Sequence, residues 1–455
     1  MNSTMPTRSR TTPVQLRTRI AAPLIMITLF ATSAGAADLA AVLDQAITTD
    51  PEYREAQANA LAVAEGVPQA KASAFLPEIQ LNGTLGRVRQ DITLVDSFGQ
   101  DGVVYYWGKQ YRATLTQPVI RFDRYIALGQ ADKRLQQARY ELDAARQALI
   151  VRVAERYFDV LAAQDNLDFA TAEKQSLQGQ LEQAQQRFEV GLIAITDVQE
   201  AQAGFDRAIA NEIVAENELD NAREALRETT EVYYDKLARL GEGINLEPPD
   251  PTDIDTWTET AIEQNLEVAA ARIASDIAFE EIKVQRAGHY PTLDLNGTHS
   301  YNEQGGRFGS SETHQSDITL ELNVPFYEGG SVVSRTRQAR HEYTAALERL
   351  EQARRSVFRE TRQAYLGVIA QISTVKALSQ AVLSSETAVD STTAGFEVGT
   401  RTAVDVVDAQ RELFQAKRDF SRARYDYIVD VLRLKQAAGT LVAEDLNIAN
   451  SWLIN

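Results

Sequence analysis

The feature that most constrains this chain is an internal duplication. Phe188-Glu189-Val190-Gly191 returns as Phe396-Glu397-Val398-Gly399, and the same offset of 208 places Asp197 on Asp405 and Ala201 on Ala409. A second match, Leu81-Asn82-Gly83-Thr84 with Leu295-Asn296-Gly297-Thr298, is letter for letter at an offset of 214. A chain built this way is expected to fold as two copies of one unit, so the repeat has to be read before any element is assigned. The sharpest shared mark, around Gly191 and Gly399, interrupts two long helical patterns.

Composition narrows the chemistry. Of 455 residues, 44% are apolar and 24% charged, which is foldable material. A net charge of -18 argues against a nucleic-acid partner, which would need a basic surface. There are no cysteines, so disulfides, thiol nucleophiles, thiolate metal sites and a cysteine-linked lipid anchor are excluded. His289, His299, His314 and His341 include no i, i+4 pair of the kind that holds a metal on a helix. No cofactor or metal is expected, and no nucleophile–base set or phosphate loop is visible, so the chain does not read as an enzyme.

Residues 1–36 read as an export signal. Arg8, Arg10, Arg17 and Arg19 form a basic region, Ile20 to Phe30 an apolar one, and Ala34-Gly35-Ala36 a cleavage site. The competing reading is a short membrane anchor, but so short an apolar run falls well below the about 20 residues a spanning helix needs. An exported chain without another long apolar run is expected to enter a membrane as strands, not helices.

Repeat 1 covers residues 37–243. A helical stretch to about residue 74 is broken at Asp50-Pro51. Strands are expected next at about 78–86 and 110–118, then an unbroken helix at about 122–187 and a second at about 196–240, its start marked by a Thr196/Gln199 capping box. Val153, Tyr157, Val160, Leu167, Leu177, Leu181 and Phe188 recur at spacings built from threes and fours, which predicts coiled-coil packing. A helix this long, roughly 99 Å at 1.5 Å per residue, has to project from any compact body. Residues 244–256, with Pro248, Pro249 and Pro251, read as a linker. Repeat 2, residues 257–440, replays the order: a helix, strands at about 290–300 and 316–325, a long helix at about 331–393 and a helix at about 402–438. Residues 441–455 read as a C-terminal tail.

The strand segments alternate apolar residues with small or polar ones, including Asp294 and Glu321. Alternation alone fits a soluble sheet with one wet face as well as a sheet facing lipid. Two features favour lipid: the export signal, and aromatics at the strand ends, namely Tyr105, Trp107, Tyr111, Phe122, Tyr290, Tyr301, Phe326 and Tyr327. Four strands cannot close a barrel, and open edges are not viable in lipid, so the chain is expected to oligomerise.

The run Gly399-Thr400-Arg401-Thr402 through Asp405-Val406-Val407-Asp408-Ala409, with Leu192 to Gln199 in the first repeat, resembles the TolC family of outer-membrane exit ducts. The likeness extends over essentially the whole mature chain. It implies a mainly α fold with membrane β: a homotrimer forming one twelve-stranded outer-membrane barrel in outer-membrane lipid, four strands per chain, continued by a coiled-coil tunnel in the periplasm of a Gram-negative cell. It implies partners, an inner-membrane transporter of ABC or RND type and a periplasmic adaptor, and export of small molecules, drugs among them, or of proteins by type I secretion. By the same resemblance, Asp405 and Asp408 match the acidic rings of the periplasmic entrance. They lie at i, i+3 on one helix face, where crowded carboxylates should titrate together with raised pKa values. Read without the family, they are two solvated acids in a first helical turn. Arg401 matches a gate latch that pairs with Thr196 and Asp197. Phe396 stands where the family often has Tyr, so a polar latch is expected to be missing there. Gly191 and Gly399 sit at the helix reversals that adaptors engage. The second repeat is expected to carry the gate and the first to brace it. The competing function is a non-conducting coiled coil that spans the periplasm.

Overall fold

A computed structural model describes residues 36–92, 102–241, 243–306 and 309–454. The segment read as an export signal lies outside the described residues except Ala36, as do the centres of the two strand-connecting loops. In chain order the elements are α1 (Leu39–Thr49), α2 (Pro51–Ala64), α3 (Gly66–Phe75), β1 (Glu78–Ile92), β2 (Gly102–Ile120), α4 (Phe122–Glu189), α5 (Ile195–Thr230), β3 (Arg239–Leu240), α6 (Ile254–Gln264), α7 (Leu266–Ala287), β4 (Thr292–Gln304), β5 (Ser311–Asn323), α8 (Ser331–Glu397), α9 (Ala403–Ala437), α10 (Ala443–Ser451) and β6 (Leu453–Ile454).

Both repeats place a strand pair ahead of a long helix, 68 residues in α4 and 67 in α8, each roughly 100 Å long. The four main strands form one antiparallel sheet in the order β1-β2-β4-β5, so the repeats join through β2 and β4. The strands are longer than their apolar alternation suggested, because backbone pairing continues into polar residues such as Arg87 to Asp91.

The register puts Ile79, Leu81, Leu85, Leu115, Ile318, Leu320 and Leu322 on one face. All of these but the half-buried Leu115 are exposed: Leu81 is 74% exposed and Ile318 81%. A contiguous bare aliphatic face is a surface built for something other than water. An aromatic row crosses its outer edge. Tyr111 opposes Tyr301, stacked at 5.0 Å, and Tyr301 opposes His314 at 4.9 Å. At the opposite end Phe122 packs edge-on against Tyr290 at 5.4 Å, while Phe326 is 95% exposed. From Leu293 to Tyr301 the apolar band measures roughly 27 Å along the strand, near 20 Å in height at a tilt of about 40°. The other face is polar: Asp294 binds Arg121 at 3.0 Å, and Asn296 donates to Glu321 at 2.8 Å.

Below the sheet, α7 lies between α4 and α8, and farther down α5 pairs with α4 and α9 with α8. Small residues make the α5 seam. Ala201, Ala208, Ala215, Leu219 and Leu226 are buried at spacings of seven and four, the heptad rule that lets two backbones approach closely. The α8 seam runs Leu350, Ala353, Val357, Thr361, Tyr365, Val368, Ile372 and Val375 in threes and fours.

The largest apolar core surrounds the middle of α4, where α1, α6 and α10 wrap the long helices as a belt. Tyr157 is fully buried here and donates its hydroxyl to Ala238 O at 2.9 Å. Desolvation by burial pushes the Tyr157 and Tyr425 hydroxyls up, so both remain neutral donors.

The belt is where sequence reading and structure part. The helix expected to reach residue 240 stops at Thr230, and Glu231 takes a left-handed φ of 56°. Tertiary pairing takes over the next residues: Ala37 N donates to Lys236 O, Ala238 N donates to Ala37 O, and β3 pairs with β6. The expected tail folds instead as α10 and β6, with Leu446 1% exposed. The proline-rich linker is docked rather than free, since Trp257 donates to Pro251 O at 2.8 Å and Tyr365 donates to Thr252 O.

Candidate functional site at the hairpin tips

Each long helix ends in the same reversal. Leu192 N donates to Arg187 O at 2.9 Å and Gly191 N to Phe188 O at 2.8 Å; Thr400 N donates to Gly395 O at 2.8 Å and Gly399 N to Phe396 O at 3.1 Å. This paired pattern closes a helix through a left-handed residue. Gly191 (φ 75°) and Gly399 (φ 79°) occupy that position, where a side chain would be strained. The reversals therefore sit where the repeat mark lies, and Val190, Leu192 and Val398 are left more than two-thirds exposed at the tips.

The helices that leave the reversals start differently. Thr402 caps α9: its hydroxyl accepts from Asp405 N at 3.3 Å, and Asp405 Oδ2 accepts from Thr402 N at 2.9 Å. That reciprocal pair is a capping box. The first repeat has Ala194 at this place, so only half of the box forms, Ala194 N donating to Asp197 at 3.2 Å. The capping box expected at Thr196 and Gln199 is displaced by this arrangement, and Thr196 stands exposed.

Asp405 and Asp408 lie on the first turns of α9. The crowding expected to raise their pKa values is not a property of one protomer. Bonds from the Thr402 backbone and hydroxyl, with Arg401 nearby, hold the Asp405 carboxyl below its usual range. Asp408 pairs with Arg411 at 2.9 Å. Arg401 is exposed, and among the described residues it forms no ion pair. Its stem folds over Gly395, where an added Cβ would come within 2.7 Å of Arg401 Cγ. One chain therefore does not bring Arg401 to Thr196 or Asp197.

A different arginine reaches across. Arg187 of α4 donates to Phe396 O at 3.0 Å, and its guanidinium lies 4.6 Å from the Phe396 ring centroid. The ring is 4% exposed and packs with Ala403 and Val406. A guanidinium over an aromatic face is attracted by its quadrupole. Farther from the tip, Gly204 of α5 approaches α9 so closely that a Cβ there would meet Val407 Cγ1 at 3.0 Å. A polar seam continues upward between the repeats: Glu173 pairs with Arg418 at 3.1 Å, Tyr425 donates to Asp165 at 2.7 Å, Asp159 pairs with Arg422 at 2.8 Å and Glu155 with Arg433 at 2.7 Å. Sequence reasoning missed Arg187 and this seam. The repeat alignment offered one cue, since Arg187 falls opposite Gly395 and so has no counterpart in the second repeat.

Comparison with known proteins identifies the family and the fold. The model of the outer membrane efflux protein family matches residues 42–230 and 257–440, one match per repeat. Outer membrane protein TolC of Vibrio cholerae is 41% identical over 422 residues, covering 92% of this chain and 94% of that protein. The alkaline protease secretion protein AprF of Pseudomonas aeruginosa is 29% identical over 416 residues, covering 89% and 84%. In fold, the crystal structure of the CmeC outer membrane channel of Campylobacter jejuni superposes with a TM-score of 0.74 at 16% identity, covering 91% of this chain and 89% of that one. With both repeats matched and a close relative aligned nearly end to end, the chain belongs to the outer membrane efflux protein family.

Proposed function

We propose that this protein is a passive, gated exit duct in the outer membrane, formed by three copies that complete one twelve-stranded barrel and one periplasmic helical tunnel. The observation that carries the proposal is the sheet: four strands with two open edges and a bare aliphatic face, joined rigidly to helices of roughly 100 Å. Neighbouring copies would pair β1 with β5. They would also cover the apolar residues left bare on the helices, such as Ile213 of α5 and Leu366 and Leu383 of α8. The duct would carry no enzymatic activity, and partner pumps would supply the energy. An inner-membrane transporter and a periplasmic adaptor would meet the tips at Gly191 and Gly399. Relatedness to TolC and to a protease secretion protein supports two cargo classes, small toxic molecules and proteins secreted by a type I route.

At the periplasmic end, three-fold symmetry would gather Asp405 and Asp408 of all three chains into a ring that favours cations. Arg401, unpaired within the described protomer, would find Thr196 and Asp197 on a neighbour. Single-channel recording in a planar bilayer tests the reading. Conductance should be cation-selective, should lose selectivity in the Asp405→Ala/Asp408→Ala variant, and should rise in Arg401→Ser. A silent protein, even after Arg401→Ser, would leave the structural coiled coil as the better account.

A further inference from the structure

We propose that the belt carries a binding site for a hydrophobic organic cation, in the cavity between the inter-repeat linker, α9 and α10. The cavity holds about 540 Å³, within the range of small-molecule sites. Trp257, Tyr427 and Trp452 line it together with Pro248 and Pro249. Another cavity along the helices is lined largely by charged residues, among them Asp159, Asp165, Arg418 and Arg422. This one is lined by rings.

The polar handles of two of those rings, Trp257 and Tyr427, are already engaged. Trp257 gives its indole N–H to Pro251 O at 2.8 Å, and Tyr427 gives its hydroxyl to Glu247 O at 3.0 Å while accepting from Glu247 N at 3.1 Å. On these two rings a ligand therefore meets aromatic faces, beside the rings of Pro248 and Pro249, rather than hydrogen-bond donors. Such a lining suits an apolar molecule that asks for no directional bond.

The charges at the wall set its sign. Lys435 is the one cation among the lining residues, and Asp445 neutralises it at 2.6 Å. Glu247 and Asp250 are exposed, and among the described residues neither has a cationic partner; the amide of Asn245 donates to Glu247. Aromatic faces and two uncompensated carboxylates both attract a delocalised positive charge. An anion of the same shape gains the apolar contact but loses the electrostatic one.

Such a site is independent of the duct reading, since binding is measured without any conductance. The probe pair is tetraphenylphosphonium and its isosteric anion tetraphenylborate. Each is titrated by calorimetry into the full-length protein in lipid nanodiscs, with empty nanodiscs subtracted. The expected result is saturable binding of tetraphenylphosphonium, one per chain, with tetraphenylborate at least about tenfold weaker. Glu247→Gln/Asp250→Asn should weaken the cation roughly tenfold, which is about 1.4 kcal/mol. Ile448→Trp, which fills the cavity, should abolish binding of both ions. Circular dichroism and gel-filtration volume report whether each variant folds, and the wild-type probe pair remains decisive where one does not. The absence of saturable cation binding, equal binding of the two ions, or unchanged binding in the carboxylate variant would each overturn the proposal.

Discussion

The two hairpin tips share one backbone and differ in what holds them. Both close through the same paired bonds around a left-handed glycine. At the second tip Phe396 is 4% exposed, whereas Phe188 at the first is 41% exposed. Thr402 completes a capping box that Ala194 cannot. Gly395 leaves room for the stem of Arg401, while its counterpart Arg187 reaches out to grip the neighbouring tip. The duplication thus kept the turn and redistributed the contacts. Repeat 1 supplies the grip and repeat 2 is gripped. The sequence reading expects the second repeat to carry the gate and the first to brace it; we propose Arg187 as that brace.

Breaking the grip should have the largest effect on gating. Arg187→Ala removes one charged hydrogen bond and one cation–π contact, together worth about 1–2 kcal/mol at a half-buried site, or roughly a 5–30-fold shift between two packings. Bilayer recording should show a matching rise in open probability. Arg187→Lys should recover only part of the loss, because an ammonium cannot both stack on the ring and aim a planar fork at the carbonyl. Wild-type gating in Arg187→Ala would mean that the asymmetry between the tips is structural ornament.

The shared turn predicts equality. Gly191→Ala and Gly399→Ala each force a side chain into the left-handed region, at a cost of about 1–2 kcal/mol. Limited proteolysis should show both tips loosened to a similar extent. Unequal loosening would show that the contacts around the turn, rather than the turn itself, decide tip stability.

The smallest effects concern the caps. Thr402→Ala should cost about 1 kcal/mol, and Ala194→Thr should return less than that to the first tip; amide exchange at the first turns of α9 and α5 reads both. The capped tip should also be the acid-sensitive one. The folded-state value of Asp405 is lowered, so its contribution is complete above the unfolded value and is lost as pH falls through the depressed one. The protection factor at the start of α9, exchange relative to the intrinsic rate at each pH, should therefore fall on acidification into and below the usual carboxylate range. Acidification of Thr402→Ala should change it less.

Much of this was legible in the residues. Heptad spacing announced the long helices, and the alternation from Leu81 to Leu85 and from Ile318 to Leu322 announced the strands. Gly191 and Gly399 marked the reversals because few other residues accept that backbone. The hidden features lie where distant segments meet. Nothing near Thr230 predicts that α5 stops there, since Ala37 and Tyr157 compete for the next stretch of backbone. Arg187 reads as one more exposed helical arginine until Phe396 is placed beneath it. Residues 244–256 read only as a linker until Trp257 and Tyr365 bind its carbonyls.

The sequence by itself determined the repeat, the helix and strand periods, the two glycine turns and the family, because each is written in local spacing or in matched letters. Tertiary structure alone decided the belt, the seam between repeats and the unequal tips. Those depend on which side chain arrives beside which carbonyl across some 200 residues of chain, as Arg187 does at Phe396. Local pattern fixes the rods and their turns; only packing chooses which rod holds the other.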